Sequence, residues 1–320
     1  MKEQMELDQL IGESLSFKNV LSIAGKISVH NMPVLLEGEK GTGKKTLAQA
    51  IHFSGDRSKG EFIIVDCSIN SDAILESELF GYVRGSFAGA INHKKGLLEL
   101  ADRGTLYFDH ISKLSPAMQS RLVHFFDEDG FYKLGGVAKI KVDLRMIAAT
   151  DENLKQRVDD GKFREDLYYK LSSIKINLPP LRERKEDILL FANYYLGKLS
   201  TALQTKKRLS KEAEQILTSY LWPGNITQLE QEIKQAYLAE SESIIGSKYF
   251  EHLRLENNKT VKVLPSSLKE QKRKMIQTLE KKAISEALKK TQGNRSRAAE
   301  LLSVSRQELI RKISFHKIKA

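Results

Sequence analysis

Short, almost continuously apolar runs separated by stretches of helical period organise residues 33–180. Residues 33–37 (PVLLE), 62–66 (FIIVD), 105–109 (TLYFD), 144–150 (LRMIAAT) and 174–178 (IKINL) have the length and composition of strands covered on both faces. The gaps between them are long enough for crossover helices, one over residues 45–53, so the pattern predicts a parallel sheet in an α/β domain. Pro179 and Pro180 end strand character, because proline lacks the N–H that a ladder needs. From residue 186 to about 247 the period is helical, with one interruption at 222–225 (WPGN). Residues 255–267 are polar and aperiodic and contain a proline, the signature of a linker. Beyond them Leu279, Ala283, Ile284, Ala287 and Leu288 recur at helical spacing. Ala298, Ala299, Leu301 and Leu302 form a second short pattern, and Leu309, Ile310 and Ile313 a third.

Charge divides the chain at the same place. The net charge is +11, and residues 271–320 alone hold 14 Lys+Arg against 4 Asp+Glu, so +10 of it sits in the last fifty residues. Such asymmetry points to a polyanionic partner, with a solvated basic helix or a protein-binding hairpin as the alternatives. With 41% hydrophobic and 29% charged residues the composition is that of a globular protein, and no apolar run reaches the roughly 20 residues of a membrane span. The N-terminus mixes Lys, Glu and Asp where a signal peptide needs an apolar core. The single cysteine, Cys67, permits no intrachain disulfide. Both features lead to the expectation of a cytoplasmic protein with no membrane partner.

Gly38-Glu39-Lys40-Gly41-Thr42-Gly43-Lys44 follows the first strand and opens a helix, the G-x-x-x-x-G-K arrangement in the context it requires. Backbone N–H groups freed by the glycines curl around phosphate oxygens, the helix start adds positive potential, and Lys44 reaches the outer phosphates. Lys45 stands where Ser or Thr usually follows, with Thr46 next. The strand 105–109 ends in Asp109, a Walker B carboxylate suited to Mg²⁺, so ATP and Mg²⁺ are the expected cofactors. His110 follows, where an ATPase of this kind places a carboxylate to orient and deprotonate the attacking water.

Seven segments together carry a resemblance: LIGES (10–14), GEKGTGK (38–44), ESELFGYVRGSFAGA (76–90), RGTLYFDHI (103–111), FREDLYYKL (163–171), LPPLRERKEDI (178–188) and WPGNITQLE (222–230). In that order they resemble the bacterial enhancer-binding proteins, the sigma-54-dependent activators, which join an AAA+ domain to a Fis-type helix-turn-helix. The resemblance implies an AAA+ core over 1–182, a small helical lid over 183–254, a linker over 255–270 and a three-helix DNA-binding domain over 271–320. It implies homo-oligomers, a dimer for DNA and a hexamer on nucleotide binding, with Arg164 acting on a neighbouring subunit's nucleotide. The sensory domain that often precedes the AAA+ core is expected to be missing.

Departures from the family pattern cluster in two places. The sigma-contacting loop, GAFTGA in the family, reads Gly85-Ser86-Phe87-Ala88-Gly89-Ala90, with Ala88 at the contacting threonine. Around the γ-phosphate, His110 replaces the Walker B glutamate, Asp66 the asparagine that senses it, and Asp151 the sensor I asparagine. Lys170 stands for the second trans-acting arginine and Thr227 for the sensor II arginine. Asp66 and His110, at partner positions, are expected to pair. Catalytic candidates are therefore Asp109, His110 and Arg164, with hydrolysis and sigma-54 contact expected to be weakened. A working sigma-54 activator that remodels the closed promoter complex is the alternative, and a nucleotide-sensing repressor or scaffold a third.

In the tail, Ser305-Arg306-Gln307-Glu308 has capping-box spacing for a last helix. Ser305, Arg306, Gln307, Arg311 and Lys312 are left for the outer face; Arg and Gln suit guanine and adenine edges, Lys suits phosphates. The segment 294–313 resembles the Fis-type helix-turn-helix, which implies promoter or enhancer DNA as partner and a pseudo-palindromic site.

Overall fold

The computed structural model describes residues 6–69, 71–128, 130–255, 284, 287, 288, 291, 294–302 and 304–315. Two compact units result, one up to Arg254 and one from Leu255 onward.

Five strands form the central sheet of the first unit. They are β1 (Val34–Glu37), β2 (Phe62–Asp66), β5 (Thr105–Asp109), β8 (Arg145–Thr150) and β9 (Ile174–Asn177), all parallel in the order β2-β5-β8-β1-β9. Two small antiparallel hairpins leave it, β3 (Gly81–Tyr82) with β4 (Lys94–Lys95), and β6 (Phe131–Tyr132) with β7 (Lys139–Ile140). Alternation along each strand feeds two cores. Val34, Leu36, Tyr107, Ile147 and Ala149 pack on one side with Phe17, Val20, Ala24 and Ile27 of α1 (Leu15–Ser28) and Leu47, Ala48 and Ile51 of α2 (Lys44–Phe53). Leu35, Val65, Leu106, Phe108, Met146 and Ala148 pack on the other. There they meet α3 (Asp72–Phe80), α4 (Leu97–Leu100), α5 (Pro116–Glu128), α6 (Leu154–Asp159) and α7 (Glu165–Leu171). The five expected strands and the helix expected over 45–53, which is α2, thus lie within one residue of their anticipated bounds.

The helical segment that follows is α8 (Lys185–Leu203), α9 (Lys211–Ser219) and α10 (Asn225–Ala239), with a core of its own that includes Ile188, Phe191, Leu217, Leu229 and Ile233. The expectation of a single interruption was incomplete. The chain also breaks at Gln204, in the left-handed region at φ 53°, and returns through β10 (Arg208–Leu209), which pairs in parallel with β11 (Ile244–Ile245). Trp222 anchors the second break. It is fully buried, donates Nε1–H to the Leu217 carbonyl at 2.8 Å, and meets Tyr220 edge-on at 5.1 Å.

In the second unit α11 (Arg295–Leu301) and α12 (Arg306–Phe315) pack through Ala298, Ala299, Leu309 and Ile313 against Ile284, Ala287 and Leu288. Of the second short pattern, Leu301 is 58% exposed, while Leu302 packs against the cluster. Leu279, Ala283 and the side chain of Ile310 lie outside the described residues.

Candidate nucleotide site and DNA-reading helix

The phosphate loop lies at the C-terminal ends of the strands, where β1 neighbours both β8 and β9 and the strand order reverses, the position at which doubly wound sheets bind ligands. Gly41 and Gly43 take φ of 80° and 101°. A Cβ on Gly41 would lie 2.4 Å from the Gly224 carbonyl, so only glycine fits beneath α10. Lys44 is 8% exposed, its Nζ donating to the carbonyls of Gly38 (2.7 Å) and Glu39 (3.0 Å). Burial lowers its pKa, with Asp151, Asp109 and Glu39 opposing. Thr42 Oγ1 donates to the Glu39 carbonyl at 2.8 Å, and Lys45 is exposed on the first turn of α2.

Three side chains tie the loop to the helical segment. Asn225, fully buried and at φ 52°, donates Nδ2 to Glu39 Oε2 (3.2 Å) and the Lys40 carbonyl (2.9 Å), while its Oδ1 accepts the Leu181 N–H (2.8 Å). Arg182 grips Glu39 with two bonds of 2.7 and 2.8 Å, which hold that carboxyl below the usual glutamate range. Arg184, 1% exposed, donates Nη2 to the Thr42 carbonyl at 2.8 Å and sits over the rings of Phe17 and Phe191. Burial pushes its pKa down to about 10.

Beside the loop opens a cavity of about 290 Å³, walled by Leu10, Phe17, Thr46, Arg184, Phe191, Tyr194, Tyr195 and Ile226. Burial and the Glu230 carboxylate raise the Tyr195 phenol. Apart from Thr46 these residues were not singled out from sequence. The motifs 10–14, 178–188 and 222–230 contain three of them, but the aromatic positions read as ordinary amphipathic helix.

At the far end of the loop, Asp109 lies in register with Asp66 across β5 and β2. Its Oδ1 accepts the Tyr107 hydroxyl (3.2 Å) and the His110 N–H (3.1 Å), which leaves Oδ2 for a cation. Tyr107 was missed in the sequence, although residues two apart on a strand share a face. Among the described residues no cluster of three or more His, Cys, Asp or Glu surrounds a metal position. A lone carboxylate fits Mg²⁺, which takes one or two protein carboxylates and the rest of its shell from phosphate and water. The expected Asp66–His110 pair does not form. Asp66 accepts the Ser68 N–H at 2.9 Å, whereas His110 takes a left-handed backbone (φ 55°, ψ 41°) and its Nδ1 lies 3.9 Å from Asp151 Oδ1.

Arg164 begins α7 on the surface, bonded to Asp166 (2.6 and 3.0 Å) and Ser120 (3.0 Å), and Lys170 pairs with Asp127. The loop 85–90 tips the β3–β4 hairpin. Gly85 (φ 83°) and Gly89 (φ 102°) turn it, Gly85 N–H bonds the Ala90 carbonyl (2.9 Å), Phe87 is 46% exposed against Tyr82, and Ala88 is exposed. Ser86 Oγ is buried, and its Cβ limits Gly135 of the second hairpin to glycine. In the second unit Ser305 caps α12, accepting the Glu308 N–H at 3.1 Å, and Asn294 caps α11. Arg306 and Gln307 are exposed and Lys312 half-buried; the side chain of Arg311 lies outside the described residues.

A P-loop α/β core with helices closed over its loop, in one chain with a capped helix-turn-helix, defines an AAA+ transcription regulator. Family models for the sigma-54 interaction domain, the AAA+ ATPase lid domain and the Fis-family bacterial regulatory protein match residues 10–177, 182–267 and 276–314. The chain is 39% identical over 311 residues to the regulatory protein AtoC of Escherichia coli, covering 95% of this chain and 67% of AtoC. It is 37% identical to the DNA-binding transcriptional regulator NtrC of Klebsiella pneumoniae, covering 95% and 69%. The crystal structure of Brucella abortus NtrX in complex with ATP matches with a TM-score of 0.70 at 26% identity, over 97% of this chain and 69% of that one. This chain belongs to the sigma-54-dependent activator family.

Proposed function

We propose that this regulator binds ATP with Mg²⁺ in the P-loop cradle, uses binding rather than rapid turnover as its working event, and reads DNA through α12. The observation that carries the reading is His110. An imidazole facing Asp151 at 3.9 Å stands where a carboxylate base belongs, and three further positions that read the γ-phosphate, Asp151, Lys170 and Thr227, carry the departures noted above.

The cradle itself is suited to nucleotide. Gly41 and Gly43 turn the backbone of the loop, Lys44 is placed to exchange two carbonyl partners for phosphate oxygens, and Asp109 Oδ2 is open to the metal. Mg²⁺, when bound, supplies charge neutralisation between the phosphates. Exposed Arg164 would reach a neighbouring subunit's nucleotide in a ring of cores. We assign residues 1–182 to the core, 183–254 to the lid, 255–270 to the linker and 271–320 to DNA binding, with Arg306 and Gln307 reading base edges and Arg311 and Lys312 holding phosphates. The same reading takes the chain to act as a dimer on DNA and as a hexamer on nucleotide, in the cytoplasm.

The glycine-turned loop with Phe87 exposed favours retaining the sigma-54 activator as second reading, with Ala88 weakening the contact. Steady-state phosphate release by the intact chain at high concentration, with Lys44→Ala as blank, separates the two. Turnover at or near the blank is expected, and robust turnover together with promoter activity lost in cells lacking sigma-54 would replace our reading with the second.

A further inference from the structure

The opposite end of the sheet, where the strands begin, holds a cleft of about 380 Å³ that nucleotide binding does not use. Three arginines from three separate segments line it: Arg57 after α2, Arg103 before β5, and Arg145 at the start of β8, with His30 at the rim. Two carboxylates are present. Arg57 takes Asp143 (2.5 Å, with a second bond of 2.8 Å to its carbonyl), and Asp56 is exposed.

The other two guanidiniums have no carboxylate partner. Arg145 is 2% exposed, its two amino groups bonded only to the Ile27 and Ser28 carbonyls (2.8 and 2.9 Å), and its Nε is buried without a partner. Burial and the charge of Arg57 push its pKa down to about 10, so an anion brought into the cleft would relieve an existing electrostatic cost. Among the described residues Arg103 makes no side-chain hydrogen bond or ion pair, yet it occupies φ 58°, where a side chain is strained. The turn cannot relax. A Cβ on Gly60 would fall 2.4 Å from the Arg103 carbonyl, a Cβ on Gly104 2.2 Å from that of Glu61, and the Arg103 N–H is fixed on the Asp143 carbonyl at 2.7 Å. An exposed, unpartnered guanidinium carried on a strained and fixed backbone, beside a buried arginine, is the arrangement of a ligand clamp, and guanidinium forks match phosphate oxygens in pairs.

We propose that this cleft binds a phosphate-bearing small molecule, or free phosphate, between Arg103 and Arg145, at a site separate from the P-loop. The test uses the full chain carrying Lys44→Ala, which weakens the P-loop's own phosphate affinity. It is titrated by calorimetry and thermal shift with inorganic phosphate and with ribose 5-phosphate, against sodium chloride at equal ionic strength. Saturable binding of either probe is expected. Equal affinities identify free phosphate as the ligand chemistry, and tighter ribose 5-phosphate identifies an organic phosphate. Adding Arg103→Gly should weaken binding about tenfold or more. The same change relieves the strained backbone and raises the melting temperature, so the loss cannot be ascribed to unfolding. Unchanged affinity with Arg103→Gly, no binding beyond the salt control, or weakened ATP binding in the Arg103→Gly single variant would each overturn the proposal.

Discussion

The two ends of the phosphate loop are built by different rules. On the side of the cavity, Asn225, Arg182 and Arg184 reach the loop from the helical segment through hydrogen bonds to backbone or to Glu39, and two of the three are almost wholly buried. Exchanging Asn225 or Arg184 would leave buried polar groups unpaired. On the γ-phosphate side, Asp66, His110 and Asp151 stand at strand ends with partly exposed side chains, and their replacement disturbs no core. On the function proposed above, the fold protects the residues that shape the loop and leaves those assigned to chemistry open to change.

The sharpest way to break this comparison is to restore the chemistry alone. His110→Glu with Asp151→Asn should raise phosphate release by about 10²-fold or more, the usual scale of a placed general base, as read by a coupled phosphate assay. No gain would move the deficit to Lys170 and Thr227. Second, Asn225→Ala removes a buried hub and puts alanine at φ 52°; it should cost about 2–4 kcal/mol in a denaturant titration. A cost near zero would mean that the protected side is no better built than the other. Third, Lys44→Ala should weaken ATP binding by roughly 10–100-fold in a fluorescent-nucleotide titration while leaving the melting temperature nearly unchanged.

The smallest effect is on pH. Because Arg182 depresses the Glu39 pKa in the folded state, the stabilisation from this pair is fully present above the ordinary glutamate range. It is lost as pH falls through the lower folded value. The side chains are well exposed, so it amounts to under about 1 kcal/mol. Stability of Glu39→Gln should therefore converge on that of the unaltered chain as pH falls through the lowered folded value of Glu39.

Most of the sheet was legible because burial on both faces demands continuous apolar runs, and the P-loop because its glycines and lysine serve one geometry. The break at Gln204 was not, since neither glycine nor proline marks it and the left-handed turn is imposed by the pairing of β10 with β11. The Asp66–His110 pairing failed for a reason of register: Asp66 lies opposite Asp109, and the backbone of His110 turns its ring towards β8. Phe17, Tyr194 and Tyr195 could not be told from core residues, because only tertiary packing leaves space between them.

Trp222 is the chain's single tryptophan, and only Pro223 and Gly224 separate it from the asparagine that bonds the phosphate loop. Its indole is wholly enclosed, so its emission should be blue-shifted in the native protein and report on one place only. The molecule thus carries its own optical gauge of the joint between loop and helices, and stopped-flow fluorescence can time how an added nucleotide is gripped and released without any added label.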